Sequence, residues 1–216
     1  MSNPSEIPEV TDLAGSLPVT SRRERVVGAK WSVVTDRVVL DAQTSVDRDV
    51  VVHPGAVGVV ALDSDDRVVV LRQYRHPVAA HLWEIPAGLL DEPGESPWST
   101  AQRELVEEAG LMAAHWHTLI DLYSSPGMSS ETIRIFVARE LSDVDPADRP
   151  PRTDEERDLV VARVDLAELV QRVLAGHIHN SLAVAGLLAA AESRRGGWVS
   201  LLPPDHPWPG PSWALG

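Results

Sequence analysis

Apolar and polar positions follow two periods along this chain, and they divide it into strands and helices. AVGVVAL at 56–62 and RVVVLRQY at 67–74 are valine-rich runs separated by Asp-Ser-Asp-Asp. The pattern predicts two strands joined by a turn, because β-branched residues suit a pleated surface and Asp and Ser favour tight reversals. Further strands are predicted within 24–40 (one or two of them), at 116–122, at 132–139 and at 159–164. Residues 83–95 hold Pro86, Gly88, Pro93 and Gly94 and read as loop. A helix is predicted over 97–109: Ser96 can cap it, Pro97 suits its first position, and Gly110 suits the left-handed residue beyond its last turn. DLAELVQRVLAG and NSLAVAGLLAAAESRR predict two more helices, ending near Gly176 and Gly196. Strands interleaved with helices indicate an α/β or α+β sandwich. Four segments follow: a loose tail at 1–20, a strand region at 21–50, a main domain at 51–196, and a Pro- and Trp-rich tail at 197–216 that is irregular or reaches a partner. Residues 141–158 read as a long surface loop of the kind that carries function.

The helix at 97–109 has an unusual polar side. At 100° per residue, Trp98, Ala101, Leu105 and Ala109 fall within an arc of about 80°, which makes the buried stripe. Glu104, Glu107 and Glu108 occupy a neighbouring arc of about 100°, with Glu108 next to the stripe. Like charges at i,i+4 cost about 0.2–0.5 kcal/mol. Carboxylates in the last turn oppose the helix dipole by roughly 0.3–1 kcal/mol each. Solvated glutamates with high helix propensity tolerate such penalties, whereas a hard divalent cation would reverse them. Spacing alone leaves both open.

Bulk properties narrow the choice of partners. The chain has 216 residues, 44% of them hydrophobic and 24% charged, which is ordinary globular composition. Its formal net charge of −13 disfavours a broad nucleic-acid or membrane surface, and an anionic substrate would need local positive charge. Absence of cysteine excludes disulfides and thiolate metal sites. The first residues lack the basic and apolar regions of a secretory signal, and the apolar run at 182–191 falls short of the roughly 20 residues of a membrane span. A soluble cytoplasmic protein is therefore expected. His115 with His117 and His177 with His179 are i,i+2 pairs without a carboxylate set nearby, and they read as structural or exposed.

GLLDEPGESPWSTAQRELVEEAGL resembles the Nudix box, the signature of hydrolases that split nucleoside diphosphates linked to another moiety. Glu95, seven residues, and then Arg103, Glu104, Leu105, Val106, Glu107, Glu108, Ala109, Gly110 and Leu111 match without a gap. Six residues rather than five separate Gly88 from Glu95, which reads as one insertion in the Pro-Gly turn. RQYRHP, LWEIPAG and SSPGMSSE are similar to the ADP-ribose pyrophosphatase branch, over about 51–194. The resemblance implies a Nudix-type α/β/α sandwich with a mixed sheet, preceded by an N-terminal strand region. It implies hydrolysis of ADP-ribose to AMP and ribose 5-phosphate with magnesium or manganese. Metal ligands would be Glu104, Glu107, Glu108 and the Ala87 carbonyl, with Arg103 paired to Glu95. A loop glutamate, Glu155 or preferably Glu156, would be the base. Arg75, Glu84, Met128 and Glu131 would contact substrate. Trp31 would stack the adenine across a homodimer whose N-terminal strands help build the partner's site. Other substrates of the same class, such as nucleotide sugars or dinucleotide coenzymes, and a non-catalytic ADP-ribose sensor are the alternatives.

Overall fold

The computed structural model describes residues 10–150 and 159–208. Three antiparallel strands, β1 (Val19–Val27), β2 (Ser32–Val39) and β3 (Ser45–Val52), form a separate N-terminal sheet in the order β1-β2-β3. The main sheet contains β4 (Ala56–Leu62), β5 (Arg67–Arg75), β6 (Ala80–Glu84), β7 (Ala87–Leu89), β8 (Leu111–Tyr123), β9 (Thr132–Asp143) and β10 (Val160–Asp165). Its order is β10-β5-β4-β9-β8, with β6 on β5 and β7 on β4. The β4–β9 pair is parallel and the other pairs are antiparallel, so the sheet is mixed.

Helices cover both faces: α1 (Pro97–Ala109) on one, α2 (Leu166–Leu174) and α3 (Ser181–Arg195) on the other. Alternation along β4 builds two cores at once. Ala56, Val60 and Leu62 join Leu169, Leu187 and Ile135 beneath α2 and α3, while Val57, Val59 and Ala61 join Ala101, Leu105 and Phe136 beneath α1. A strand buried on both faces must be apolar throughout, and AVGVVAL is. Each Val, Leu, Ile or Phe among them taken fully from water contributes about 1.5–3 kcal/mol. Gly186 lets α3 approach closely, since a Cβ there would meet Val60 at 3.1 Å and Ile85 at 3.2 Å.

The ends of the helices follow the chemistry of their capping residues. Ser96 Oγ accepts the Ser99 amide at 3.1 Å, Asp165 accepts the amides of Ala167 and Glu168, and Asn180 accepts that of Ala183. Gly110 ends α1 at φ 66°. The loop expected at 83–95 needs correction. Its first part completes β6 and forms β7, because β4 and β5 pair at Leu62–Val68 beside their turn and then separate. The opening is filled by β6, paired to β5 over Leu71–Arg75, and by β7, paired to β4 over Ala56–Gly58. Pro86 and the glycines hid strands too short to show a period.

The C-terminal segment is irregular but anchored as far as residue 208. Thr118 on the edge strand β8 exchanges backbone hydrogen bonds of 2.9 and 3.2 Å with Leu202. Beyond it, Arg134 of β9, only 2% exposed, makes a two-point pair with Asp121 at 2.7 and 2.8 Å and donates to the carbonyls of His206 and Pro207.

Candidate active site

The separation of β4 and β5 decides where the box lands. Because β7 pairs with β4, Ala87 and Gly88 are carried beneath α1, opposite Gly58 and Val57. The Ala87 amide donates to Glu108 Oε2 at 2.9 Å. Glu104 rests on Gly88 so closely that a Cβ at residue 88 would fall 2.0 Å from Glu104 Oε1. Only glycine leaves that space. Both carboxylates are largely buried, Glu104 at 9% and Glu108 at 7% exposure.

Arg103 organises the rest of the cluster. It donates to Glu95 at 3.2 and 3.0 Å, to Glu104 at 2.7 Å and to Glu107 at 2.9 Å. Thr100 adds a 2.9 Å hydrogen bond to Glu95. The Arg103 hydrogen bond is the main reason that Glu95 is held below the usual carboxylate range, with Thr100 and the Arg103 charge assisting against desolvation. The Arg103 guanidinium is correspondingly pushed up, first by Glu95. This brace ties the loop before α1 to the helix itself. Among the described residues no three His, Asp or Glu side chains are spaced as metal ligands, and Arg103 lies between Glu104 and Glu107. In kind, the carboxylates fit a hard cation: Glu104, Glu107 and Glu108 offer oxygen ligands beside the cradle that Gly88 keeps open, with Arg103 as their present counter-charge.

Other expected residues fall into separate groups. Arg75 and Glu84 meet each other, Nε to Oε1 at 2.9 Å and Nη2 to Oε2 at 2.7 Å, with Gln73 reaching Glu84 at 3.2 Å. Arg72 lies on the opposite side of the strand, 5.4 Å over Trp83. Glu131 accepts from Ser124 and lies 3.7 Å from His53, while Met128 is exposed. Backbone bonds between Met128 and Val51 and between Ser130 and Val51 fix this loop to the end of β3. Trp31 is half exposed in the turn after β1, and its neighbour Lys30 pairs with Asp91 in the loop before α1. Glu155 and Glu156 lie outside the described residues. Gln73, Thr100, His53 and Ser130 were not anticipated. Thr100 alone had a sequence signal, its position one turn before Glu104 on the same helix.

The NUDIX domain profile matches residues 52–183. The chain belongs to the Nudix family. It is 42% identical over 181 residues to an ADP-ribose pyrophosphatase of Mycobacterium tuberculosis, covering 84% of this chain and 86% of that protein. It is 38% identical to a methanol dehydrogenase activator of Bacillus methanolicus, over 70% of this chain and 79% of that one. An ADP-ribose pyrophosphatase of Bacillus subtilis is 35% identical, over 62% and 70%. Among solved structures, an ADP compounds hydrolase superposes with a TM-score of 0.72 at 22% identity, covering 87% of this chain and 98% of the other, which supports the Nudix fold. The Nudix assignment matches the carboxylate helix, the glycine beneath it and the mixed sheet between helices.

Proposed function

We propose that this Nudix protein hydrolyses the diphosphate bridge of ADP-ribose, giving AMP and ribose 5-phosphate, with magnesium or manganese as cofactor. The observation that carries this is the gathering of Glu95, Glu104 and Glu107 about Arg103, with Glu104 seated on Gly88 and Glu108 on the Ala87 amide. Relatives named ADP-ribose pyrophosphatase support the choice of substrate. Glu104, Glu107, Glu108 and the Ala87 backbone would hold the cation, which when bound neutralises the diphosphate and lowers the pKa of a water. Arg103 and Glu95 keep the helix and loop in register. Arg75, steadied by Glu84, orients a phosphate oxygen, while Glu84, Glu131 and Met128 border the ribose. Glu156 takes the proton of the attacking water as one phosphorus–oxygen bond of the bridge breaks. Trp31 contributes to the site of a second subunit. Exposed Val19, Val26 and Val27 on β1 support the homodimer. No helix among the described residues is long and apolar enough to cross a membrane, and a cytoplasmic location is proposed.

Incubation with ADP-ribose and magnesium, followed by product identification, tests this directly. AMP is expected from the parent protein, with turnover lower by several orders of magnitude in Glu108→Gln. Equal turnover by both would refute the role of Glu108. Turnover of a nucleotide sugar or dinucleotide coenzyme in place of ADP-ribose would move the assignment to that substrate. Retention of ADP-ribose without cleavage would make the protein a sensor.

A further inference from the structure

His115 and His117, read from the sequence as structural or exposed, flank Trp116 on β8 and so lie on the sheet face opposite α1, toward the Leu62 end of β4. β4 runs from Val57, paired with Gly88, to Leu62, a span of roughly 17 Å at the usual rise of a strand. Beyond Leu62 the sheet end opens into a cavity of about 570 Å³ lined by Asp63, Arg67, Arg139, Arg163 and Trp198. His115 is the direct cross-strand partner of Arg139 and lines the same cavity.

The charges around this cavity are unequally matched. Asp63 accepts Arg67 Nε at 3.0 Å and the amides of Asp65 and Arg67 at 3.0 and 2.9 Å. Asp66 pairs with Arg194, and Glu140 lies 3.1 Å from His115 Nε2. The acids of the lining are therefore engaged. Arg163 reaches Asp63 and Asp143 only at 3.8 Å, too far for a hydrogen bond. Arg139 has no ion pair among the described residues; its Nε is buried without an acceptor, and its guanidinium lies 5.0 Å over the Trp198 ring. His117 Nδ1 is also buried without a partner, and desolvation, followed by the charges of Arg139 and His115, holds this imidazole below its ordinary pKa.

Backbone conformation adds an independent sign. Asp66, Glu140 and Trp198 are three of the four non-glycine residues with positive φ among the described residues, and all three line this cavity. Left-handed backbone at ordinary residues collects where a site is shaped. A buried guanidinium N–H seldom lacks an acceptor, and the partner that suits the planar fork of Arg best is a bidentate oxyanion. The volume lies in the range of small-molecule pockets.

We propose that this cavity is a second, non-catalytic binding site for a small phosphate monoester, held by Arg139 and Arg163 with Trp198 as one wall. Ribose 5-phosphate titrated calorimetrically into the full-length protein in EDTA is a suitable probe. The parent protein should show a binding event that is weakened about tenfold or more in Arg139→Gln and in Arg163→Gln, since each loses a charge-assisted contact. Arg75→Gln, which alters the candidate active site, should leave it unchanged. Arg139→Lys, with the charge but without the fork, should bind with intermediate affinity. If Arg139→Gln does not fold, judged by its circular dichroism, Arg163→Gln decides. Failure of the parent to bind, parent-like binding by both glutamine variants, or loss of binding in Arg75→Gln would overturn the assignment.

Discussion

A single methyl group at residue 88 would test the geometry of the carboxylate cluster. In Gly88→Ala the new Cβ would lie 2.0 Å from Glu104 Oε1 and 2.4 Å from its Cγ, so Glu104 must leave its place. A misplacement of that order is expected to lower kcat by about a hundredfold, and the crowding to destabilise the fold by about 1–3 kcal/mol. Turnover assays paired with thermal unfolding would measure both. Glu95 offers a separate test through pH. Its folded pKa is depressed, chiefly by Arg103, so its contribution to stability is fully present above about pH 4.3, the ordinary glutamate value. That contribution is lost as the pH falls from there through the lower folded value. Glu95→Gln should therefore lower stability at neutral pH and flatten the acid limb of the unfolding profile, as denaturant titrations at several pH values would show. An unchanged acid limb would count against the Arg103–Glu95 brace.

Whether an element was legible in the sequence depended on whether its signal is local. The limits of α1 follow from Ser96, Pro97 and Gly110, and the glutamate arc follows from helical spacing, so the heart of the candidate site is legible in the sequence. Ser96→Ala should cost about 0.5–2 kcal/mol in stability with kcat little changed, because the cap lies at the far end of the helix from Glu108. Short strands are another matter. β6 and β7 exist because β5 and β4 separate and leave edges to be paired, and a three-residue strand cannot display a period of its own. For the same reason the Arg75–Glu84 pair was not foreseen: each was assigned to substrate singly, whereas their meeting depends on the β5–β6 register. Arg134 shows the same limit. It interrupts the apolar run at 133–138, and nothing within TIRIFVAR tells that Asp121 and residues some seventy positions later will surround it.

At the scale of the whole molecule, one edge strand is bare and another is covered by the chain itself. β1 is exposed along its entire length, and Val26 and Val27 present apolar surface at 52% and 69% exposure. Under the proposed homodimer, Val26→Asp combined with Val27→Asp should yield monomers by light scattering and raise KM through loss of the second subunit's Trp31. The other surface is already covered. The segment at 198–208 crosses the β8 edge at Thr118 and ends against Arg134. Removing it would leave Arg134 paired with Asp121 but without its carbonyl acceptors, and hydrogen bonds to charged groups contribute about 1.5–3 kcal/mol each. A chain ending at Gly197 should therefore unfold at a lower temperature in a calorimetric scan.

That closure also sets an order for biosynthesis. Arg134 leaves the ribosome 72 residues ahead of His206, whose carbonyl it will bind. β8 therefore acquires this neighbour only after residue 202 has been made. A nascent chain stalled before residue 202 would display an open sheet edge, the kind of surface on which chaperones and aggregation compete.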